Sequence, residues 1–302
     1  MKVQELLQLI DLSDIDDHEC GRLFHGRGHA YPGYEHINID YFPPMLLITV
    51  YQETDADFLQ QLSEQLHSSI NRCNSVKVQY RCRPKAPFAT LVGESIESLV
   101  AIEHGLKFQL HFSENQNFGL FLDMRNGRRY VLEHSEGKSV LNLFAYTCAF
   151  SVAAIAGNAA KVVNIDISKA ALSKGRDNHR LNKHPLEKVR FEGVDIFKSY
   201  NRLKKHGPYD LLIADPPSFQ KGSIDVKRDY PKIIRRLDQF MAEDGLLMLC
   251  LNSPDLSEEF LFSMMNEYSP NSEFVEHIEP PAVFKEAYTG KGLKVLVFRY
   301  KK

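Results

Sequence analysis

Cysteine is scarce in this chain, and its placement argues against two classes of protein. The 302 residues include only five cysteines, at positions 20, 73, 82, 148 and 250, and none of them belongs to a CxxC pair. Structural zinc sites and the disulfide frameworks of small secreted domains need closely spaced cysteines, usually in even number. We therefore expect no metal site, no disulfide framework and a reducing, cytoplasmic location.

Long apolar runs and a strong net charge are also missing. No stretch reaches the ~18 apolar residues of a membrane span, and the start of the chain lacks the basic and apolar segments of a secretory leader. We expect a soluble protein without a membrane partner. Because the net charge is only −2, contacts to phosphates would have to come from local clusters of Lys and Arg.

The hydrophobic pattern divides the chain into two parts, as its length favours. Residues 1–115 are predicted to form a small α+β domain that could bind RNA. It starts with a short helix pattern, continues with a turn-rich segment over residues 24–44, and then has an apolar strand over residues 45–51. Asp55 is placed to cap the helix that follows, and further strand patterns lead into the second part.

Residues 116–302 show apolar strands separated by helix patterns, which is typical of a parallel sheet covered on both faces. The strands are predicted at 139–145, 160–166, 188–193, 210–215 and 245–252. Two more strand patterns, at 273–279 and 293–300, have no helix pattern between them and should pair antiparallel at one edge. The predicted fold class is α/β, a Rossmann-like, mostly parallel sheet with an antiparallel edge hairpin.

Ligands of such sheets bind beyond the carboxyl ends of the strands. The first strand runs into Asn142-Leu143-Phe144-Ala145-Tyr146-Thr147, a turn without the glycines that a dinucleotide phosphate site requires. S-adenosylmethionine has no phosphate, so small and aromatic residues are suited to hold it. We assign Asn142, Phe144, Tyr146 and Thr147 to this cofactor site, while Phe150 is more simply explained as core.

Acidic residues follow the second and third strands. Asp166 is placed to receive two ribose hydroxyls, with Ile167 and Ser168 beside it, although Asp166 or Ser168 would also suit the cap of the next helix. Asp195 is placed to accept the adenine amino group, with Ile196 packing on the ring. These residues extend the predicted cofactor site.

The fourth strand ends in Asp215-Pro216-Pro217-Ser218-Phe219. Two prolines fix φ and remove two backbone donors, so this loop should be rigid and should present its carbonyls. A planar base would stack on Phe219 while Asp215 and Pro216 orient it. The alternative is an ordinary structural turn, which explains the prolines but not the acid at the strand end.

These motifs, in this order and spacing, resemble the bacterial large-subunit ribosomal RNA methyltransferases that modify cytosine carbon-5 or a guanine ring nitrogen. The resemblance rests on LNLFAYTCAF, VVNIDIS, DIF, DPPSF and, upstream, FHGRG and GLFLDMRNGRRYV, and it covers residues 22–300. It implies S-adenosylmethionine as cofactor and ribosomal RNA as partner. It also implies that Phe121, Asp123 and Arg125 border the cofactor, with Arg125 facing its methionine carboxylate.

The sequence departs from that family at three places. The N-terminal RNA-binding PUA domain of some members is not expected, because the chain begins just before FHGRG. Cys148 and Ala149 replace glycines of the first turn. Asn252 occupies the position at which the cytosine-specific members carry their nucleophilic cysteine, whereas Cys250 lies within an apolar run that favours an inert thiol.

Without a thiolate, carbon-5 of cytosine is not nucleophilic, whereas a base nitrogen needs only alignment and a group that orients it or takes its proton. We therefore predict methylation of a base nitrogen, with Asp215 and Asn252 in that role. Methylation of a protein or a small molecule, or cofactor binding without turnover, stays open, as does the oligomeric state.

Basic clusters are candidates for phosphate contacts, although such clusters are often only solvated surface. Three clusters stand out in the sequence: Arg81, Arg83 and Lys85; Arg125, Arg128 and Arg129; and Lys227, Arg228, Lys232, Arg235 and Arg236. The third follows the DPPSF loop and is predicted to close over a bound nucleotide.

Overall fold

The structure is a computed structural model that describes residues 2–12, 15–112, 117–217 and 224–302. The chain forms two compact units. Unit 1 consists of Met1–Leu122 and Pro281–Thr289, and unit 2 of Asp123–Pro280 and Gly290–Lys302.

Among its described residues, unit 1 contains a five-stranded sheet, a two-stranded sheet and two α-helices. The helices are α1 (Val3–Leu7) and α2 (Ala56–Ser69), and the strands are β1 (Gly21–His25), β2 (Ile37–Phe42), β3 (Met45–Val50), β4 (Ser75–Tyr80), β5 (Phe88–Gly93), β6 (Ser98–Glu103) and β7 (Leu106–His111). The larger sheet has the order β1-β2-β3-β4-β5, in which only β3 and β4 are parallel neighbours. Asp55 caps α2 as predicted, accepting the Phe58 N–H at 2.8 Å.

The sequence predicted a turn-rich segment over residues 24–44. The structure differs, because this segment contains the end of β1 and all of β2. Every residue of β2 is buried, including Asn38 and Asp40. The Asp40 carboxylate is paired with the Arg22 guanidinium, at 2.5 Å to Nε and 3.2 Å to Nη2. Polar residues in a fully buried strand hide the apolar run by which such strands are recognised, and this explains the missed strand.

Unit 2 contains one seven-stranded sheet and six helices among its described residues. The helices are α3 (Arg125–His134), α4 (Ala149–Ala156), α5 (Lys169–Leu181), α6 (Tyr200–His206), α7 (Val226–Ile234) and α8 (Glu259–Tyr268). The strands are β8 (Ser139–Leu143), β9 (Lys161–Asp166), β10 (Val189–Gly193), β11 (Tyr209–Ala214), β12 (Met241–Leu251), β13 (Glu273–His277) and β14 (Lys294–Arg299).

The sheet order is β10-β9-β8-β11-β12-β14-β13. Its first five strands are parallel, and β14 pairs antiparallel with both β12 and β13. The predicted fold class is confirmed, including the antiparallel edge pair. The inner strands are buried at almost every position, since helices cover both faces of such a sheet.

The division between the units differs from the predicted boundary after residue 115. It falls after Leu122, and residues 281–289 return to unit 1. There the Ala287 N–H donates to the Gly28 carbonyl at 2.7 Å, and the backbones of Glu286 and His29 form an isolated antiparallel β-bridge. Residues far apart in the chain make this contact, so no local pattern indicates it.

None of the helices in the described part of the chain is both long and apolar enough to cross a bilayer.

Candidate active site

The order of the strands in unit 2 brings three turns together at one edge of the sheet. β8 lies between β9 and β11, and Leu143 at the end of β8 pairs with Ile165 of β9 and Ala214 of β11. The chain leaves β8 toward β9 and later returns to the opposite side at β11. This reversal is where doubly wound sheets bind their ligands.

The turn after β8 is tightly wound although it contains no glycine. Phe144, Tyr146 and Cys148 have φ angles of 57°, 46° and 61°, in the left-handed region that non-glycine residues rarely adopt. Strained backbone of this kind persists only where surrounding contacts hold it. Here the Ala145 N–H donates to the Ile165 carbonyl at 3.1 Å, and the Tyr146 N–H donates to Asp166 at 2.8 Å.

Two predicted cofactor residues of this region, Asn142 and Thr147, are buried and hydrogen-bonded within unit 2. Asn142 is buried, and its amide donates to the Asn164 side chain at 2.9 Å. Thr147 is also buried, and its carbonyl accepts from the Asn178 side chain at 3.0 Å. Phe144 and Tyr146 are only partly buried, so these two are the accessible members of the turn.

Asp166 is oriented by two backbone donors. One carboxylate oxygen accepts the Tyr146 N–H at 2.8 Å, and the other accepts the Ser168 N–H at 2.7 Å. Each oxygen keeps a second lone pair that can accept from a hydroxyl. Helix α5 is capped by Ser168, whose hydroxyl accepts the Ala171 N–H at 3.2 Å. Ile167 between them is 68% exposed.

The turn after β10 is held by Asp195, whose carboxylate accepts the Phe197 N–H at 2.9 Å. Ile196 is buried, whereas the Phe197 ring is partly buried with its centroid 6.5 Å from that of Phe144. These two rings form an apolar wall near the strand ends, and Phe197 belongs to it although the sequence singled out only its neighbours.

Asp215 directly follows β11, at the same edge of the sheet as the turns after β8 and β9. Burial, reinforced by the charge of Asp123, raises its pKa to about 7, and Arg128 opposes the shift. None of the described residues donates a hydrogen bond to its side chain. Its acceptor capacity is therefore available to a substrate. Pro216 is buried, and Phe219 lies outside the described residues.

Three residues just before or at the start of α3 were assigned to the site by resemblance. Asp123 and Arg125 lie at the start of unit 2 and are partly buried, and the charge of Asp123 acts on Asp215. Phe121 belongs to unit 1 and is 45% exposed.

Cys250 and Asn252, the two candidates for the nucleophile position, differ in burial at the end of β12. Cys250 is fully buried, and burial raises its pKa well above the usual range, so its thiol stays protonated. Asn252 follows the end of the strand and is exposed. Of the two, only Asn252 is accessible to a substrate.

Two residues that the sequence did not single out support these loops. Tyr230 of α7 is fully buried and donates its hydroxyl proton to the Ala214 carbonyl at 2.9 Å, directly before Asp215. Lys294 of β14 is also buried, and its ammonium group donates to the carbonyls of Ser253, Leu256 and Gly290 at 2.6–3.0 Å. Their hydrogen-bond partners are distant in the sequence, so no local sequence pattern indicates their roles.

The third basic cluster is largely engaged within unit 2. Arg228 and Lys232 both bind the Asp229 carboxylate, at 2.8 and 2.7 Å. Arg235 and Arg236 lie over the rings of Tyr268 and Tyr200. Arg128 of the second cluster is buried, and Arg129 is paired with Glu133. Internal partners thus explain much of both clusters.

The residues at this edge fit S-adenosylmethionine by their chemistry. Asp166 offers oriented acceptors for two hydroxyls, Phe144 and Phe197 offer an apolar wall, and the turn after β8 lacks the glycine-lined cradle that a pyrophosphate needs. When bound, this cofactor supplies an electrophilic methyl group on a sulfonium.

The family model of the S-adenosylmethionine-dependent methyltransferases matches residues 21–299. The chain is 26% identical to a Bacillus subtilis protein provisionally named ribosomal RNA large subunit methyltransferase YwbD, over 96% of this chain and 77% of that protein. It is 28% identical to ribosomal RNA large subunit methyltransferase I of Erwinia tasmaniensis, over 88% of this chain and 70% of that protein.

Among solved structures, the provisionally assigned methyltransferase SMU.776, complexed with SAH, superimposes with a TM-score of 0.87 at 22% identity, over 99% of this chain and 82% of that one. At this identity the likeness concerns the fold. The match of the family model over nearly the whole chain, on a sheet whose strand ends fit the cofactor, means that the chain belongs to the S-adenosylmethionine-dependent methyltransferases.

Proposed function

We propose that this protein transfers a methyl group from S-adenosylmethionine to a base nitrogen in RNA, with ribosomal RNA as the favoured substrate. The observation that carries the proposal is Asp215, a carboxylate at the reversal point of the sheet. Burial and Asp123 raise its pKa to about 7, and no described residue donates to it.

A group with a pKa near neutrality is suited to proton transfer at physiological pH. In its ionised form Asp215 accepts a hydrogen bond from the amino or ring N–H of the target base and orients the nitrogen. The lone pair of this nitrogen would form the new bond to the methyl carbon as the carbon–sulfur bond of the bound sulfonium breaks and leaves its electron pair on sulfur. The proton that the nitrogen loses would pass to the Asp215 carboxylate. Tyr230 positions Asp215 through the Ala214 carbonyl.

The thiol chemistry at the end of β12 supports a nitrogen target over carbon-5 of cytosine. A carbon-5 reaction needs a thiolate that adds to the ring, and the fully buried Cys250 is held in its protonated form. Asn252, exposed after the same strand, has an amide that donates and accepts without forming a covalent bond.

The relatives support ribosomal RNA as the substrate class, because both of the relatives above carry that substrate in their names. A cytoplasmic location, where ribosomes are assembled, is part of the same proposal.

The decisive experiment supplies methyl-labelled S-adenosylmethionine to the protein together with total RNA, separated ribosomal subunits or an RNA-free protein extract. Label is expected in RNA, strongest in ribosomal RNA, and on a base nitrogen after digestion to nucleosides. Label that entered only the protein extract would refute the RNA proposal.

Two variants test the chemistry of the site. Asp215→Ala should lose methyl transfer by a much larger factor than it loses cofactor affinity, whereas Cys250→Ser should retain most of the activity. Covalent trapping of RNA that contains 5-fluorocytosine, or inactivity of Cys250→Ser with normal cofactor binding, would restore the carbon-5 mechanism.

A further inference from the structure

Three strands of unit 1 point in one direction and end at one edge of its larger sheet. β2 is antiparallel to both β1 and β3, so β1 and β3 run the same way, and β4 is parallel to β3. Arg27 follows β1, Tyr51 follows β3 and Arg81 follows β4. The topology therefore brings two arginines and an aromatic residue to a single edge.

Side-chain contacts join these three residues into one cluster, here named the Arg27–Tyr51–Arg81 cluster. The Arg27 guanidinium carbon lies 4.3 Å from the centroid of the Tyr51 ring, and that of Arg81 lies 5.7 Å from the same centroid. Two positive groups thus share one ring. Stacking on an aromatic face uses the plane of a guanidinium and leaves its N–H donors at the edge for another partner.

Within this cluster, Arg27 differs from the arginines of unit 1 that form ion pairs among the described residues. Arg22 is paired with Asp40, Arg72 with Asp17 and Arg83 with Glu53. Across the described part of the chain, Arg27 has no ion pair. The pKa of Arg81 is lowered by burial and, further, by the positive charge of Arg27, while Tyr51 opposes the shift. An anion bound between the two guanidinium groups would relieve this repulsion.

The backbone presents Arg27 rigidly. It lies between Gly26 and Gly28, where a Cβ atom would collide with the Tyr34 carbonyl at Gly26 and with the Lys285 carbonyl at Gly28. The Arg27 N–H is also within 3.4 Å of the Asn38 side chain. A long side chain that starts from a fixed backbone loses less freedom on binding than one on a mobile loop.

We propose that the Arg27–Tyr51–Arg81 cluster binds the phosphodiester backbone of the substrate RNA. Guanidinium forks match phosphate oxygens in geometry and charge, and such contacts position a nucleic acid without reading its sequence. The proposal rests on the RNA substrate proposed above. It concerns residues of unit 1, whereas the cofactor residues after β8, β9 and β10 lie in unit 2.

The test compares Arg27→Gln and Arg81→Gln with Arg83→Gln as the matched control, because Arg83 is already neutralised by Glu53 at 2.7–2.8 Å. Fluorescence anisotropy with a labelled single-stranded 12-nucleotide RNA, at several salt concentrations, gives the affinity. Loss of one phosphate contact should weaken binding about fivefold at ~0.1 M salt and reduce the slope of log affinity against log salt by about 0.7. Arg83→Gln should change both by much less.

SAH binding, measured by calorimetry, should be unchanged in all three variants and reports that each is folded. Arg27 is exposed, so Arg27→Gln carries the test if Arg81→Gln does not fold. In methylation assays the KM for RNA should rise in Arg27→Gln while kcat stays near the wild-type value. If Arg27→Gln bound RNA with wild-type affinity and salt dependence while the wild type methylated RNA, this inference would fail and the proposed function would stand. If the wild type methylated protein instead, the proposed function would fail first.

Discussion

At the scale of single residues, Asp166 combines a role in the fold with a role in ligand binding. Its two oxygens accept the N–H groups of Tyr146 and Ser168, and they tie the strained turn after β8 to the start of α5. The same oxygens have lone pairs left for a ribose. A carboxylate in such a position is pre-oriented before the ligand arrives, and this lowers the entropic cost of binding.

We predict that Asp166→Ala weakens binding of S-adenosylmethionine by about 1.5–3 kcal/mol, the range for hydrogen bonds to a charged group. Isothermal calorimetry measures this change, and circular dichroism checks that the variant is folded. A folded variant with unchanged affinity would show that the carboxylate serves only the two backbone donors.

Asp215 illustrates the opposite relation, in which a functional group costs stability. Its pKa is about 7 in the folded protein, against an ordinary value of 3.8. Between these values the folded state retains a proton that the unfolded state has lost. The free energy of unfolding therefore falls as the pH rises through this window.

The variant Asp215→Asn lacks this titration and imitates the protonated acid in shape. We expect it to be more stable than the wild type at pH 8 by about 1–3 kcal/mol, and close to the wild type near pH 4. Urea denaturation at both pH values tests this expectation. If the variant and the wild type differed in free energy of unfolding by the same amount at pH 4 and pH 8, the assigned pKa would be contradicted.

The rate of methyl transfer by the wild type should rise with pH through about 7, as Asp215 ionises.

At the scale of structural elements, the turn after β8 and helix α5 are matched to each other. Cys148 precedes α4 with a φ of 61°, and it is fully buried. Gly175 of α5 faces it, since a Cβ at Gly175 would collide with the Cys148 Sγ and lie 2.8 Å from its Cβ. The absence of a side chain at position 175 makes room for the thiol at position 148.

This contact predicts that the effect of Gly175→Ala on stability depends on the residue at position 148. Gly175→Ala should destabilise the wild type by about 1–3 kcal/mol through overpacking. In Cys148→Gly the thiol is gone, and the same change should lose most of its cost because alanine favours a helix by up to ~1 kcal/mol over glycine. Denaturation of the four proteins gives the coupling energy. Additive effects would mean that the two positions do not contact each other.

At the scale of the whole molecule, membership of the methyltransferase family predicts which small molecules stabilise the protein. A ligand that binds only the folded state raises the free energy of unfolding by about 2.7 kcal/mol when its concentration is 100 times Kd. We expect this response to SAH and no response to NAD, because the turn after β8 lacks glycine. Thermal unfolding with each ligand measures it. Stabilisation by NAD alone would contradict the assigned cofactor.

Several features of the protein followed from local patterns in the sequence. The first five strands of unit 2 are apolar runs separated by helix patterns. These strands and the two of the antiparallel edge pair were predicted within a few residues of their observed ends. Asp55 was recognised as a cap because its role depends on a residue three positions later. Asp166, Asp195 and Asp215 each follow a strand pattern in the sequence. They were expected at one edge of the sheet because the carboxyl ends of parallel strands lie there.

Other features depend on residues that only folding brings together. Asp40 of β2 is buried with its charge paired to Arg22 of β1, and residues 281–289 join unit 1 by pairing with residues 28 and 29. The pKa of Asp215 depends on burial and on the charges of Asp123 and Arg128, and the left-handed turn after β8 depends on acceptors in β9. Burial and charge act through space, so the sequence determined the sheet and its acidic strand ends, whereas the tertiary structure decided how those ends are oriented and ionised.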